Sequence, residues 1–101
     1  MPDFGNPFSG LAHDRKVTHE ELIRAIRFMV AAEFEAVQMY IQLAESTDNI
    51  LAREVLRDIA DEEKVHAGEF LRLLKELAPD EESFYEKGYR EVEEEIEKQK
   101  K

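Results

Sequence analysis

An all-α fold is predicted by three features of this 101-residue chain. Apolar residues recur every three or four positions along two long stretches, the period of a helix with one buried face. Residues that favour turns and helix caps cluster where those stretches begin and end. Glycine and proline are scarce, four and three in all, so little interrupts the helices. Two long helices joined by a tight turn make an antiparallel hairpin, and a third, more polar helix follows. A hairpin alone covers its apolar stripes incompletely, so a second copy is expected to complete a four-helix bundle.

The elements follow in order. Pro2, Gly5, Pro7 and Gly10 make residues 1–17 an irregular arm, whose Phe4 and Phe8 are suited to dock on a neighbour. "THEE" then supplies a capping box, with Thr18 accepting from the backbone and Glu21 reaching back. The helix it opens is expected to run to about Glu45 on Ile23, Ile26, Val30, Phe34, Val37, Ile41 and Ala44. "STDN" is rich in cap formers, with Ser46, Thr47 or Asp48 as the next N-cap. The second helix is expected from about Asn49 to Leu77 on Leu51, Val55, Ile59, Phe70, Leu73, Leu74 and Leu77. Pro79 disfavours helix at the residue before it and ends the run. A third helix, Glu81 to about Lys98, spaces Phe84, Tyr85, Tyr89, Val92 and Ile96. Gly88 weakens it by roughly 1 kcal/mol relative to alanine. The organisation expected is an arm (1–17), one helical domain (18–98) and a charged tail (99–101).

Composition narrows the function. Twenty-four acidic against fourteen basic residues leave a net charge of -10, which disfavours nucleic acid and anionic membranes and favours cations. The absence of cysteine excludes disulfides, iron–sulfur clusters and thiol catalysis, so any metal must use His, carboxylate or Tyr. No apolar run approaches the ~20 residues that span a bilayer. "MPDFGNPFSG" lacks the basic and hydrophobic regions of a secretory signal. A soluble, cytoplasmic protein is expected.

Polar residues interrupt the stripes at particular places. Within "DEEKVHAGEF", Glu63 and His66 stand on the side of the helix that holds Ile59 and Phe70. Their spacing of three lets both side chains reach one ion from one face. Glu62 borders the same sector, and azimuth alone does not separate the two glutamates. Glu33 lies between Val30 and Val37 on the first helix, with Tyr40 two turns further on almost the same azimuth. Glu35 points roughly opposite. Singly, a Glu at a stripe edge is more often a boundary residue, a His a hydrogen-bonded core group, and a Tyr an amphipathic packing residue. Together they form a pattern that packing does not explain. Burying an unpaired carboxylate costs several kcal/mol, and a twofold dimer gathers Glu33, Glu63 and their copies near one axis. A pair of divalent cations neutralises such a cluster. One chain supplies half the ligands; a homodimer supplies all of them. Carboxylate and imidazole donors suit iron or manganese.

"AEFEAVQMY" and "DEEKVHA" resemble the encapsulated ferritins, two-helix relatives of ferritin held inside encapsulin nanocompartments, over roughly residues 17–98. The resemblance implies a half-ferritin hairpin with a C-terminal helix, dimerising into a ferritin-like four-helix bundle. It implies a di-iron ferroxidase centre of two iron ions per dimer, and five dimers in a ring-shaped decamer. It assigns Glu33, Glu63 and His66 as metal ligands, with Glu63 bridging, and Tyr40 as a tyrosine near the centre. The family's second, outer metal site matches Glu35 but meets Ala32 at its other position, which departs from the pattern. The family's C-terminal encapsulation peptide has no counterpart in "EIEKQKK". Either chain is missing there, or the domain joins the capsid protein by fusion, with the charged run as linker.

The function expected is therefore Fe(II) oxidation feeding iron storage in an encapsulin compartment. Two rivals are a rubrerythrin-like peroxidase, which ordinarily carries a cysteine-bound iron, and a non-enzymatic acidic helical adaptor.

Overall fold

The computed structural model describes residues 15–101, and the arm containing Phe4 and Phe8 lies outside them except for its last three residues. Among the described residues the chain is helical throughout, as α1 (His19–Glu45), α2 (Ile50–Leu77) and α3 (Glu82–Gln99). The capping box forms as expected: Glu21 N–H donates to Thr18 Oγ1, and Thr18 N–H donates to the Glu21 carboxylate. Arg15 makes a two-pronged ion pair with that carboxylate, which lowers the Glu21 pKa to about 2. The cap of α2 is Asn49, one residue after the candidates in "STDN". Its Oδ1 accepts from Ala52 N–H at 2.9 Å. Ser46 and Thr47 instead close the turn, Ser46 donating to Gln42 O and Thr47 accepting from Asn49 N–H.

A seven-residue rhythm holds the hairpin together. Ile23, Val37 and Ala44 are buried on α1 with half-buried Val30 between them, and Ala60, Ala67 and Leu74 are buried on α2. Side chains repeating every seven positions keep one narrow seam in contact, as in a coiled coil. Much of that seam is alanine, which lets the two backbones approach closely. Larger residues take over at the end away from the turn, where Ile23, Ile26, Leu74 and Ala78 cluster with Leu22, Phe70 and Leu77.

The seam corrects the expected stripes. Phe34 is 54% exposed, and Leu51, Val55 and Leu73 are also exposed. The α2 seam runs through its alanines, so the bulky apolar residues beside them flank the contact instead of filling it. At about 100° per residue, the seam divides the hairpin into two sides. Glu33, Tyr40, Glu63 and His66 lie on one side, the front, together with Ile26, Ile59 and Phe70. Every lysine and arginine of α1 and α2 falls on the other, the back: Arg24, Arg27, Arg53, Arg57, Lys64, Arg72 and Lys75.

A 3₁₀ turn, Pro79–Glu81, bends the chain into α3 at the back. Two ties pin this elbow to α1. The His19 imidazole Nε2 hydrogen-bonds with Leu77 O at 2.9 Å, and Arg27 pairs with Glu81, which also accepts from the Tyr85 hydroxyl. Beyond the elbow α3 buries no residue of its own. It leaves at an angle, giving the molecule extents of 51 × 47 × 22 Å. A cleft of about 320 Å³ opens between α2 and α3, lined by Leu71, Leu74, Lys75, Glu82, Tyr85 and Tyr89.

Candidate metal centre

Glu33, Glu63 and His66 converge within one chain. One donor atom from each lies within 4.8 Å of the other two, and no other such group of His, Cys, Asp and Glu occurs among the described residues. The hairpin brings this about simply. Residue 33 of α1 stands beside residues 63–66 of α2 across the antiparallel seam, and the spacing of three puts Glu63 and His66 on adjacent turns. Alanine at position 67 keeps the backbones close enough for short carboxylates to meet.

The distances favour coordination over hydrogen bonding. His66 Nδ1 lies 3.7 Å from Glu33 Oε2 and 3.5 Å from Glu63 Oε2. Both exceed a normal hydrogen bond. Bonds of about 2.1 Å to one ion at angles of 90–110° would put two donors about 3.0–3.4 Å apart, so a small contraction around an ion satisfies all three. Glu33 Oε2 is enclosed and has no hydrogen-bond partner. A buried acceptor left unmatched costs roughly 1–3 kcal/mol. A cation would supply the missing partner, and the mixed oxygen and nitrogen donors would fit iron or manganese.

Exposure shows where the cluster is open. The carboxylate side chains are each 18% exposed, but the imidazole is 49% exposed. The hairpin therefore encloses the acids and leaves the front of the cluster open. Around that opening lie half-buried Ile59 and Phe70 and exposed Val55 and Leu73, an apolar border suited to another helical pair.

The remaining candidates stand apart. Tyr40 is half-buried on the front, but seven residues from Glu33 is about 10 Å of helix, and among the described residues it hydrogen-bonds none of the three donors. Glu35 is half-buried on the far side of α1 and does not join the cluster. Glu62, next to Glu63, is exposed and outside the cluster. The structure thus separates the two glutamates that azimuth left equivalent. The segregation of basic residues to the back was not anticipated. Its signal is present in the sequence, but only once the alanine seam fixes where the front begins.

The likeness to known proteins agrees with this geometry. A profile of the rubrerythrin family matches residues 18–101. The chain is 38% identical over 81 residues to a ferritin-like–encapsulin shell fusion protein of Pyrococcus furiosus, covering 80% of this chain and 24% of that protein. It is 40% identical over 75 residues to an encapsulin nanocompartment cargo protein of Myxococcus xanthus, covering 74% of this chain and 57% of that one. The chain thus spans about a quarter to just over half of the curated relatives it matches. The crystal structure of an encapsulated ferritin domain from Pyrococcus furiosus superposes with a TM-score of 0.80 at 34% identity, over 91% of this chain and 94% of that one. The chain belongs to the rubrerythrin family, and within it to the encapsulated-ferritin-like proteins.

Proposed function

We propose that the protein is a ferroxidase whose di-iron centre is shared across a homodimer. The enclosed, unpartnered Glu33 oxygen beside Glu63 and His66 carries this reading, because it is a buried acceptor that a cation would match. The open front and its apolar border support pairing with a second copy through a twofold axis. The paired fronts would bring together two of each ligand, enough for two iron ions.

Fe(II) is the substrate. Glu33 and Glu63 bind it, and their negative charge favours Fe(III) more strongly than Fe(II), so the ligand set promotes loss of an electron. Glu63 would be the carboxylate that holds both ions, as the resemblance implies. His66 would add a nitrogen donor through Nδ1, the ring atom beside both carboxylates. Tyr40 lies further along the front and tunes the site from outside the ligand set. Two Fe(II) ions would give up two electrons, which with two protons from solvent reduce one dioxygen to hydrogen peroxide. With Ala32 and a distant Glu35, an outer metal site has little support.

Storage belongs elsewhere. A chain only 22 Å thick encloses no volume for a mineral, and dimers or a ring of five dimers add little. The names of its relatives point to an encapsulin shell, reached by enclosure or fusion, as the place where Fe(III) accumulates.

The test is rapid mixing of the metal-free protein with Fe(II), followed by ultraviolet absorbance of Fe(III), with dioxygen or hydrogen peroxide as oxidant. Glu33→Ala, Glu63→Ala and His66→Ala are each expected to abolish fast oxidation and retain helical circular dichroism. Turnover with peroxide alone would favour the rubrerythrin-like peroxidase. Neither binding nor oxidation would leave the acidic adaptor. A monomer that oxidises iron at the same specific rate as the assembled protein would refute the shared centre. After loading in air, soluble iron per chain should be far greater with a shell than without one.

A further inference from the structure

We propose that Met29 is a modification site, a thioether placed to be oxidised to the sulfoxide by hydrogen peroxide formed at the metal centre. The oxidant comes from the ferroxidase reading above, on which this proposal rests.

The chain has three methionines, of which Met29 and Met39 lie among the described residues. Both stand on α1, but their surroundings differ. Met29 precedes Glu33 by one turn, about 6 Å along the helix and about 40° around it, on the front. The register of the hairpin brings it close to α2 as well. Ile23 and Leu74 pack in one group, and the seven-residue rhythm then sets Val30 against Ala67. Met29, the neighbour of Val30 on the front, therefore stands level with His66 and Phe70, and it is half-buried. Met39 is 57% exposed. It lies about 9 Å beyond Glu33 along the helix and about 120° around it, on the outer surface of α1. Solvent reaches Met39 first; the metal centre reaches Met29 first.

Peroxide oxidises a thioether to the sulfoxide without any other reagent. The sulfur lone pair attacks one peroxide oxygen, and the S–O bond forms as the O–O bond breaks. The second oxygen leaves as water with both peroxide protons. Sulfur loses two electrons and peroxide gains two. Competing targets are few beside the centre, since the chain has no cysteine and Ile59, Phe70 and Leu73 at the opening are hydrocarbon. Each Met29 consumes one peroxide, so the residue records turnover and does not act as a catalyst. The product puts a polar, hydrogen-bonding group into an apolar border beside the ligands.

The test uses the full chain, with peptide mass spectrometry reading the sulfoxide at each methionine. In one arm, metal-free protein receives Fe(II) in air, with catalase present to destroy peroxide that escapes. In the other it receives hydrogen peroxide and no iron. Peroxide made at the centre is expected to oxidise Met29 ahead of Met39 by about tenfold, the advantage of a source held beside its target. Added peroxide is expected to reverse the order, because Met39 is the more exposed. Glu63→Ala should lose the Met29 sulfoxide in the iron arm and keep the wild-type order in the peroxide arm. Fe(III) absorbance followed in the same samples separates this proposal from the reading beneath it. Normal Fe(III) formation with Met39 ahead, with neither methionine oxidised, or with oxygen spread over Tyr40, His66 and Phe70 would overturn the assignment of Met29 alone. Met29 ahead in both arms would overturn the centre as the source of the oxidant. No Fe(III) formation would overturn the ferroxidase reading, and this proposal with it.

Discussion

The two sides of the hairpin are made from the same two helices and both carry carboxylates, yet only one of them carries cations. The front has Glu33, Glu62 and Glu63, a half-open imidazole and a wide apolar border, with no lysine or arginine. The back has all seven basic residues of α1 and α2. A net charge alone would describe an acidic protein that attracts cations everywhere. The sidedness means that no fixed cation on the front competes with a metal ion for the three donors, while on the back Arg27 pairs with Glu81, Lys64 with Asp61 and Arg72 with Glu76.

The strongest challenge to this division is removal of a proposed ligand on the front. Glu63→Ala should reduce Fe(II) oxidation by about two orders of magnitude or more, since even outer-shell changes at metal sites cost 10–100-fold. Glu62→Ala, one residue away and outside the cluster, should leave the rate close to wild type. Reversal of that ranking in stopped-flow assays would move the site. Glu33→Leu should abolish oxidation yet stabilise the metal-free protein by about 1 kcal/mol, because it removes an unmatched buried acceptor. Thermal or urea unfolding without metal reads that gain.

The next largest effect separates the seam from both sides. Ala67→Leu inserts bulk where the helices are closest, and should cost about 1–3 kcal/mol. The same substitution should weaken metal binding without touching a ligand. Calorimetric titration with a redox-inert divalent ion would check it.

Tyr40→Phe sharpens the extent of the front. Without a hydrogen bond to the three donors, its hydroxyl should change the oxidation rate only severalfold, on the order of 1 kcal/mol in barrier. A loss as large as that of Glu63→Ala would make Tyr40 a full member of the centre.

The smallest effect concerns the elbow at the back. Hydrogen bonding from the Tyr85 hydroxyl, with Arg27 adding to it, holds the Glu81 carboxyl below its ordinary pKa. A carboxyl lowered in the folded state contributes stability above its unfolded pKa. That contribution is lost as pH falls through the lowered folded value. Carboxyl NMR titration should therefore find Glu81 ionised at a pH where the unpaired glutamates have begun to protonate. A midpoint in the ordinary glutamate range would show that the tie does not persist in solution.

Much of this design is legible in the residues themselves. The Thr18 capping box, the turn after Glu45 and the Pro79 break follow from local chemistry, and the helices form where those signals stand. Glu33, Glu63 and His66 are legible because charged groups within an apolar pattern require a partner. The burial pattern is less readable. Hydrophobicity directs attention to Phe34, Leu51 and Val55, whereas contact is made by Ala44, Ala60 and Ala67, whose small side chains give a weak hydropathy signal. With the seam misplaced, the charge division is hidden too. Glu62 and Glu63 could be separated only after the neighbouring helix was in position.

The alanine seam also acts as a ruler for the ion. Ala44, Ala60 and Ala67 offer no donor atom, but they set how far α1 stands from α2, and hence the span between Glu33 and Glu63. Calcium takes oxygen ligands at 2.3–2.6 Å, while smaller transition-metal ions bind at about 2.0–2.2 Å. Helices held close by methyl groups suit the smaller radius, and side chains one or two carbons longer would favour the larger. Selectivity among cations is thus inherited partly from residues with no affinity for any cation.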